Sequence, residues 1–189
     1  MKIRYYPSYV IKCLRFGLGV FLIPLFIWSQ NEAKEPYLKV LGTIQDGGSP
    51  HIGCEKICCN ALSQEQRSER SVTSLAILAP LTNSSLLFEA TPDIVSQWSE
   101  LQGTSVSVFL THAHMGHYSG LIHLGREALG AKNIPVYAMP QMRAFLTENG
   151  PWNQLLALKN IKLIPLEADT SVTPNNQIKV TPFLVPHRD

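Results

Sequence analysis

The chain has 189 residues, 45% of them hydrophobic and 16% charged, an ordinary composition for one globular domain, with no repeat or low-complexity tract. Its formal charge of +2 does not point to nucleic acid. Four basic residues and no acid lie in the first 30 positions, so the remainder carries 12 Lys+Arg against 14 Asp+Glu, a net charge of −2.

Those four residues, Lys2, Arg4, Lys12 and Arg15, precede the apolar run FGLGVFLIPLFIW, from Phe16 to Trp28. A basic segment followed by a short apolar stretch reads as an export signal over residues 1–30. The run is shorter than the roughly 20 residues of a membrane-spanning helix. Trp28-Ser29-Gln30 is not a small-x-small cleavage pattern, so an uncleaved N-terminal membrane anchor is the alternative. Either way the chain is expected to be exported, periplasmic or anchored facing outside, touching the membrane only through this segment. Cys13 precedes the apolar run and is not placed as a lipid-carrying cysteine.

A linker over residues 31–37 leads into a domain over 38–189. In YLKVLGTIQDGG, Leu38, Val40 and Ile44 suit a first strand that ends in a glycine turn. The cysteine-rich loop SPHIGCEKICC and the polar stretch SQEQRSERS follow. SLAILA reads as a buried strand, TNSS as a hairpin turn and LLFEA as the partner strand. DIVSQWSEL has helical spacing, with Thr91 or Asp93 as its cap. SVSVFLTHAH is a strand that delivers histidines at its C-terminal end. GLIHLGREALG is expected to be a helix closed by Gly130, IPVYAMP a strand, and PQMRAFLTENG a helix. IKLIPL and IKVTPFLVPH complete the pattern as two further strands. Hairpin strands followed by alternating strands and helices indicate an α+β domain, a mixed sheet packed against helices.

The segment THAHMGHYSG carries the chemistry. Three of the six histidines, His112, His114 and His117, fall within six positions. His112 and His114 alternate and point to one side, while His117 follows in the turn. Neutral imidazoles suit zinc in a tetrahedral shell with one position left for water, and such a water has a pKa near about 7. Three histidines also hold iron. His123, six residues further on, reads as a packed or surface residue of the next helix.

The sequence resembles the metallo-β-lactamase superfamily, whose signature is His-x-His-x-Asp-His after a strand, and within it the branch containing coenzyme PQQ synthesis protein B. LGTIQDGGSPHIGC, LLFEATPD, FLTHAHMGHYSGL and VTPFLVPHRD carry the resemblance, which spans residues 38–189. It implies an αββα sandwich with metals at one edge of its two sheets. It also implies that His112 and His114 bind the first metal with His187, about 70 residues later, and that His117 belongs to a second site. Two departures stand out. Gly116 replaces the motif Asp, which leaves one firm zinc position and one doubtful. The resemblance also implies a second half of the sandwich beyond Asp189, so the chain reads as the N-terminal part of that fold.

In this superfamily the loop after the first strand lies near the metal edge, which makes Asp46 the candidate catalytic carboxylate. It would ligate a second metal with His117 or orient the water; the other reading is an Asx-turn residue. Asp93 is a candidate partner for a metal-bound histidine, or a helix cap. His51, Cys54, Cys58 and Cys59 form His-x2-Cys-x3-Cys-Cys. They suit a closed structural zinc site, a disulfide from Cys54 to Cys58 or Cys59, or free thiols.

Two classes of function follow. One is a metal-dependent hydrolase of a small molecule, with zinc-bound hydroxide attacking an ester, amide or phosphoester. The other is a non-catalytic metal-binding or carrier protein, or an inactive truncated fragment.

Overall fold

In a computed structural model of the chain, residues 35–103 and 105–187 are described. They belong to a compact unit spanning Glu32–Asp189. The expected signal over 1–30, and Cys13 with it, lies outside the described residues. No helix among the described residues is long and apolar enough to cross a membrane.

One six-stranded sheet runs in sequence order: β1 (Tyr37–Gly42), β2 (Ser74–Ala79), β3 (Ser84–Phe88), β4 (Ser105–Phe109), β5 (Ile134–Ala138) and β6 (Ile161–Pro165). β1, β2 and β3 pair antiparallel, and β3 through β6 pair parallel. The mixed sheet read from the sequence is therefore present. Two antiparallel steps leave β1 parallel to β3, so β1, β3, β4 and β5 all end at one sheet edge. That single consequence of strand order collects the site.

Alternation along the strands divides the core. Leu87, Val108, Val136 and Ile161 face one side, where they meet Ile94, Leu121, Leu124, Met142, Leu146 and Leu155. Three helices supply much of that layer: α3 (Ile94–Ser99), α5 (Pro140–Glu148) and α6 (Trp152–Ala157). Pro140 opens α5 at a position whose amide has no helical partner, and Met142 and Leu146, four apart, are its buried residues. On the other side, Phe88, Phe109 and Tyr137 occupy one register across three parallel strands, with ring centroids 5.2 and 4.4 Å apart. Leu166, Val172, Ile178 and Val180 pack against that face.

Several sequence expectations are corrected. GLIHLGREALG is not an α-helix: Ser119–Leu124 is a 3₁₀ helix. The cause is a tertiary contact, because Gly120 donates its amide to Ala90 O at 2.8 Å and follows that neighbouring chain closely. A Cβ at Gly120 would lie 2.0 Å from Thr91 O. IKVTPFLVPH forms no ladder strand; Val180 makes one bridge to Val172, and Phe183, Leu184 and Val185 stay exposed. No strand among the described residues pairs with it. TNSS is approached through a 3₁₀ turn over Pro80–Thr82, with Asn83 in the left-handed conformation at φ 49°. Helix α6 was not anticipated, nor were α1 (Ile57–Asn60) and α2 (Gln64–Ser68) in the cysteine-rich and polar stretches. Ser63 and Gln66 form a capping box on α2.

Candidate metal centre

β4 ends at Phe109, so the histidines lie just beyond the strand and not within it. Leu110 donates its amide to Tyr137 O, which holds the departing chain against β5. His114 then precedes a short helix, α4 (Met115–Tyr118), which carries His117. Backbone bonds from Ala90 to His117 O and from Gly120 to Ala90 O, both 2.8 Å, lock this turn onto the chain that leaves β3.

The structure brings His112, His114 and His187 together, with one ligand nitrogen from each lying within 4.8 Å of the others. Ring centroids are 4.5 Å apart for His112 and His114, 4.4 Å for His112 and His187, and 4.9 Å for His114 and His187. Around a tetrahedral zinc with bonds of about 2.0–2.1 Å, ligand nitrogens stand roughly 3.3 Å apart, so the cluster must contract by about an ångström or a little more. His187 is exposed on an extended segment and can supply that movement. An all-imidazole set of this kind fits a divalent transition metal. His112 Nδ1 lies 2.8 Å from the Thr111 hydroxyl, which orients that ring from behind.

Asp46 arrives from the loop after β1. Its Oδ1 is 3.2 Å from His117 Nε2 and its Oδ2 3.7 Å from His114 Nδ1. Gly116 explains how it fits. A Cβ at Gly116 would lie 2.5 Å from both Cα and Cβ of Asp46 and 3.0 Å from its carbonyl oxygen. The space a motif aspartate would need is filled by the Asp46 backbone, and a carboxylate arrives from the opposite direction.

His117 sits between two carboxylates. Its Nδ1 is buried, makes no hydrogen bond, and lies 3.6 Å from Glu89 Oε2. Burial lowers the His117 pKa and favours the neutral imidazole, while Asp46 pulls the other way. Burial pushes the Glu89 carboxyl up to about 7, against the stabilising effect of Thr111. Glu89 is 6% exposed and has φ 75°, a left-handed backbone that a glutamate adopts only when its surroundings impose it. Sequence reading passed over this residue. Its signal was an acid ending the buried strand LLFEA, where a solvated charge has no place.

Asp93 does not reach a histidine. Its Oδ2 accepts from the Val72 amide at 2.8 Å, and its side chain makes no cap bond to α3. Among the cysteines, Cys54 and Cys59 come together, with Sγ atoms 2.6 Å apart. The hydrogen bond with Cys59 lowers the Cys54 pKa, and the same contact raises Cys59 to about 11. Cys58 is exposed, and His51 turns away to Gln45, with Nε2 2.9 Å from the side-chain amide. His123 lines an apolar groove of about 300 Å³ with Ile94, Trp98 and Leu129, which none of the clustered histidines borders.

Histidines and carboxylates thus gather at the strand ends of a mixed sheet, in an arrangement that could hold a metal ion. The model of the beta-lactamase superfamily domain matches residues 85–189, and the chain belongs to that superfamily. Among solved structures it is similar to Zn(2+)-bound PqqB from Methylobacterium extorquens, at 23% identity and a TM-score of 0.63, over 79% of this chain and 56% of that one. It is also similar to a diphosphatase from the PhnP family, at 22% identity and a TM-score of 0.54, over 73% of this chain and 52% of the other. The chain thus spans about half the length of these structures. No curated protein matches it.

Proposed function

We propose that the chain provides the metal centre of a hydrolase, with zinc held by His112, His114 and His187 and a second, weaker position offered by Asp46 and His117. The observation that carries this reading is the convergence of three imidazole nitrogens within 4.8 Å beside a carboxylate 3.2 Å from a fourth histidine. Zinc bound there supplies a Lewis acid and a water acidified to a pKa near about 7.

The chain's own residues do the rest. Asp46 spans the histidines of both positions, so its carboxylate can orient the attacking water and accept its proton. Thr111 fixes the His112 ring, and burial keeps His117 in the neutral form that a metal requires. The substrate class is an ester, amide or phosphoester of a small molecule. The diphosphatase among the structural relatives places phosphoesters first in the order of testing.

Zinc content of the purified protein and turnover of generic phosphodiesters and lactams test the proposal. Turnover that disappears in His114→Ala supports it, and turnover unchanged by that substitution overturns it. Tight zinc binding with no turnover of any ester, amide or phosphoester supports a metal carrier instead.

A further inference from the structure

Asp46 reaches His117 and His114 from a loop, and a loop aims a carboxylate only as well as its own main chain is held. On one side that main chain rests on Gly116. Two residues earlier, Ile44 is tied to the chain that enters β2. Its amide donates to Ser71 O at 3.0 Å, and its carbonyl accepts from the amide and the hydroxyl of Thr73, both at 2.8 Å. Beyond Ile44 the chain turns, with Gly48 N donating to Gln45 O at 2.8 Å. The amides of Asp46 and Gly47, inside that turn, have no backbone partner among the described residues.

We infer that Gln45 is a positioning residue whose side-chain amide clamps the main chain of Asp46 and is itself held by His51. The clamp aims the Asp46 carboxylate at the proposed second metal position, a role that rests on the reading of the site given above. The neighbours of the Gln45 amide fix its orientation. One end faces the N–H groups of Asp46 and Gly47, both donors, at 3.3 Å each, so the oxygen belongs there. The NH₂ group at the other end then donates to His51 Nε2 at 2.9 Å. One side chain thereby satisfies two amides and closes a ring of chain from residue 45 to residue 51. The far side of the ring is anchored as well. The His51 imidazole lies over Gly47, where a Cβ would stand 3.2 Å from Nε2 and 3.3 Å from Cδ2. Cys54 N donates to His51 O at 3.1 Å, and Arg70 Nη1 donates to Ser49 Oγ at 2.7 Å. Gln45 and His51 are both exposed, so their bonds compete with water, and the clamp is worth about 2–10-fold in the population of the aimed loop.

Amide hydrogen exchange in metal-free protein, read by NMR at Asp46 and Gly47, tests the clamp apart from any metal. Gln45→Leu keeps the bulk and removes both polar groups. It is expected to speed exchange at these two amides about 2–10-fold and to leave those of β3 and β4 unchanged. His51→Ala is expected to act in the same direction, and His51→Gln, which keeps an acceptor near the place of Nε2, to restore most of the protection. Zinc titration reads the consequence: the weaker of two binding events is expected to fall about 2–10-fold in Gln45→Leu while the tight event persists. Unchanged exchange at Asp46 and Gly47 in Gln45→Leu overturns the inference, as does a weaker zinc event of unchanged affinity or a His51→Gln protein no better protected than His51→Ala. Wild-type amides that exchange there as fast as in an unstructured peptide overturn it even where no variant folds. A protein that takes up one zinc or none, yet loses the protection in Gln45→Leu, upholds the clamp and removes the second metal position alone.

Discussion

Restoring the superfamily's aspartate by Gly116→Asp is expected to damage the site and not to complete it. Any Cβ at 116 meets Cα and Cβ of Asp46 at 2.5 Å. Carbon atoms pack at about 3.5–4.0 Å, so the overlap is at least about 1 Å, and it falls on Cα and Cβ of Asp46, where only a shift of the whole loop relieves it. Overpacking of this kind costs about 1–3 kcal/mol. For a domain of this size each kcal/mol moves the Tm by about 2–4 °C, so metal-free Gly116→Asp and Gly116→Ala should melt about 2–12 °C lower by scanning calorimetry. The displaced loop takes its carboxylate with it, and zinc titration should show the weaker event lost while the first persists. Adding Asp46→Gly removes one of the two carbons and frees the loop backbone, so the double variant should recover part of the melting temperature. A coupling of about 0.5–3 kcal/mol is expected in that cycle. Gly116→Asp with unchanged Tm and tighter second-zinc binding would refute the reasoning, because position 116 would then be open and Asp46 elsewhere.

Three further outcomes are expected. His114→Ala, at a half-exposed side chain, should leave metal-free stability within about 0.5 kcal/mol by urea denaturation, yet abolish the tight zinc event. Gln97 is 2% exposed and bridges Thr91 Oγ1 at 2.7 Å and Val72 O at 2.8 Å, so Gln97→Ala should cost about 2–4 kcal/mol in the same assay by stranding both partners. Under reducing conditions near pH 8, iodoacetamide should modify Cys54, whose pKa is lowered, before buried Cys59, whose pKa is raised; peptide mass spectrometry reads the order.

The sheet was legible because its strands are buried on alternating or both faces, and SLAILA and SVSVF write that directly in apolar residues. The 3₁₀ stretch after His117 was not, since its apolar spacing is helical and only its bond to Ala90, thirty residues upstream, diverts it. His112, His114 and His117 announced themselves by spacing. His187 was reached through family resemblance alone, because a lone histidine after Pro186 carries no periodic signal. Asp46 was singled out through a gap, as the acid on the loop that the resemblance places near the metal edge when the motif Asp is missing. Glu89 escaped because a carboxylate at a strand end ordinarily turns to water, and only the fold shows that this one cannot.

Drawing the carboxylate from the loop after β1 changes how the site relates to folding. A motif with all its ligands in six consecutive positions can capture a metal in an unfolded chain, and such binding cancels part of the stabilisation that a native-state ligand confers. Here Asp46 precedes His117 by 71 positions and His187 follows by 70, so the complete ligand set exists only once both ends of the sheet have been brought to one edge. Under the proposed assignment, metal occupancy at the second position would report the assembled sheet, and its binding energy would act on the native state alone. On the proposed assignment, the acid comes from 71 positions upstream of His117, so both positions, and not the first alone, join segments that only the fold brings together.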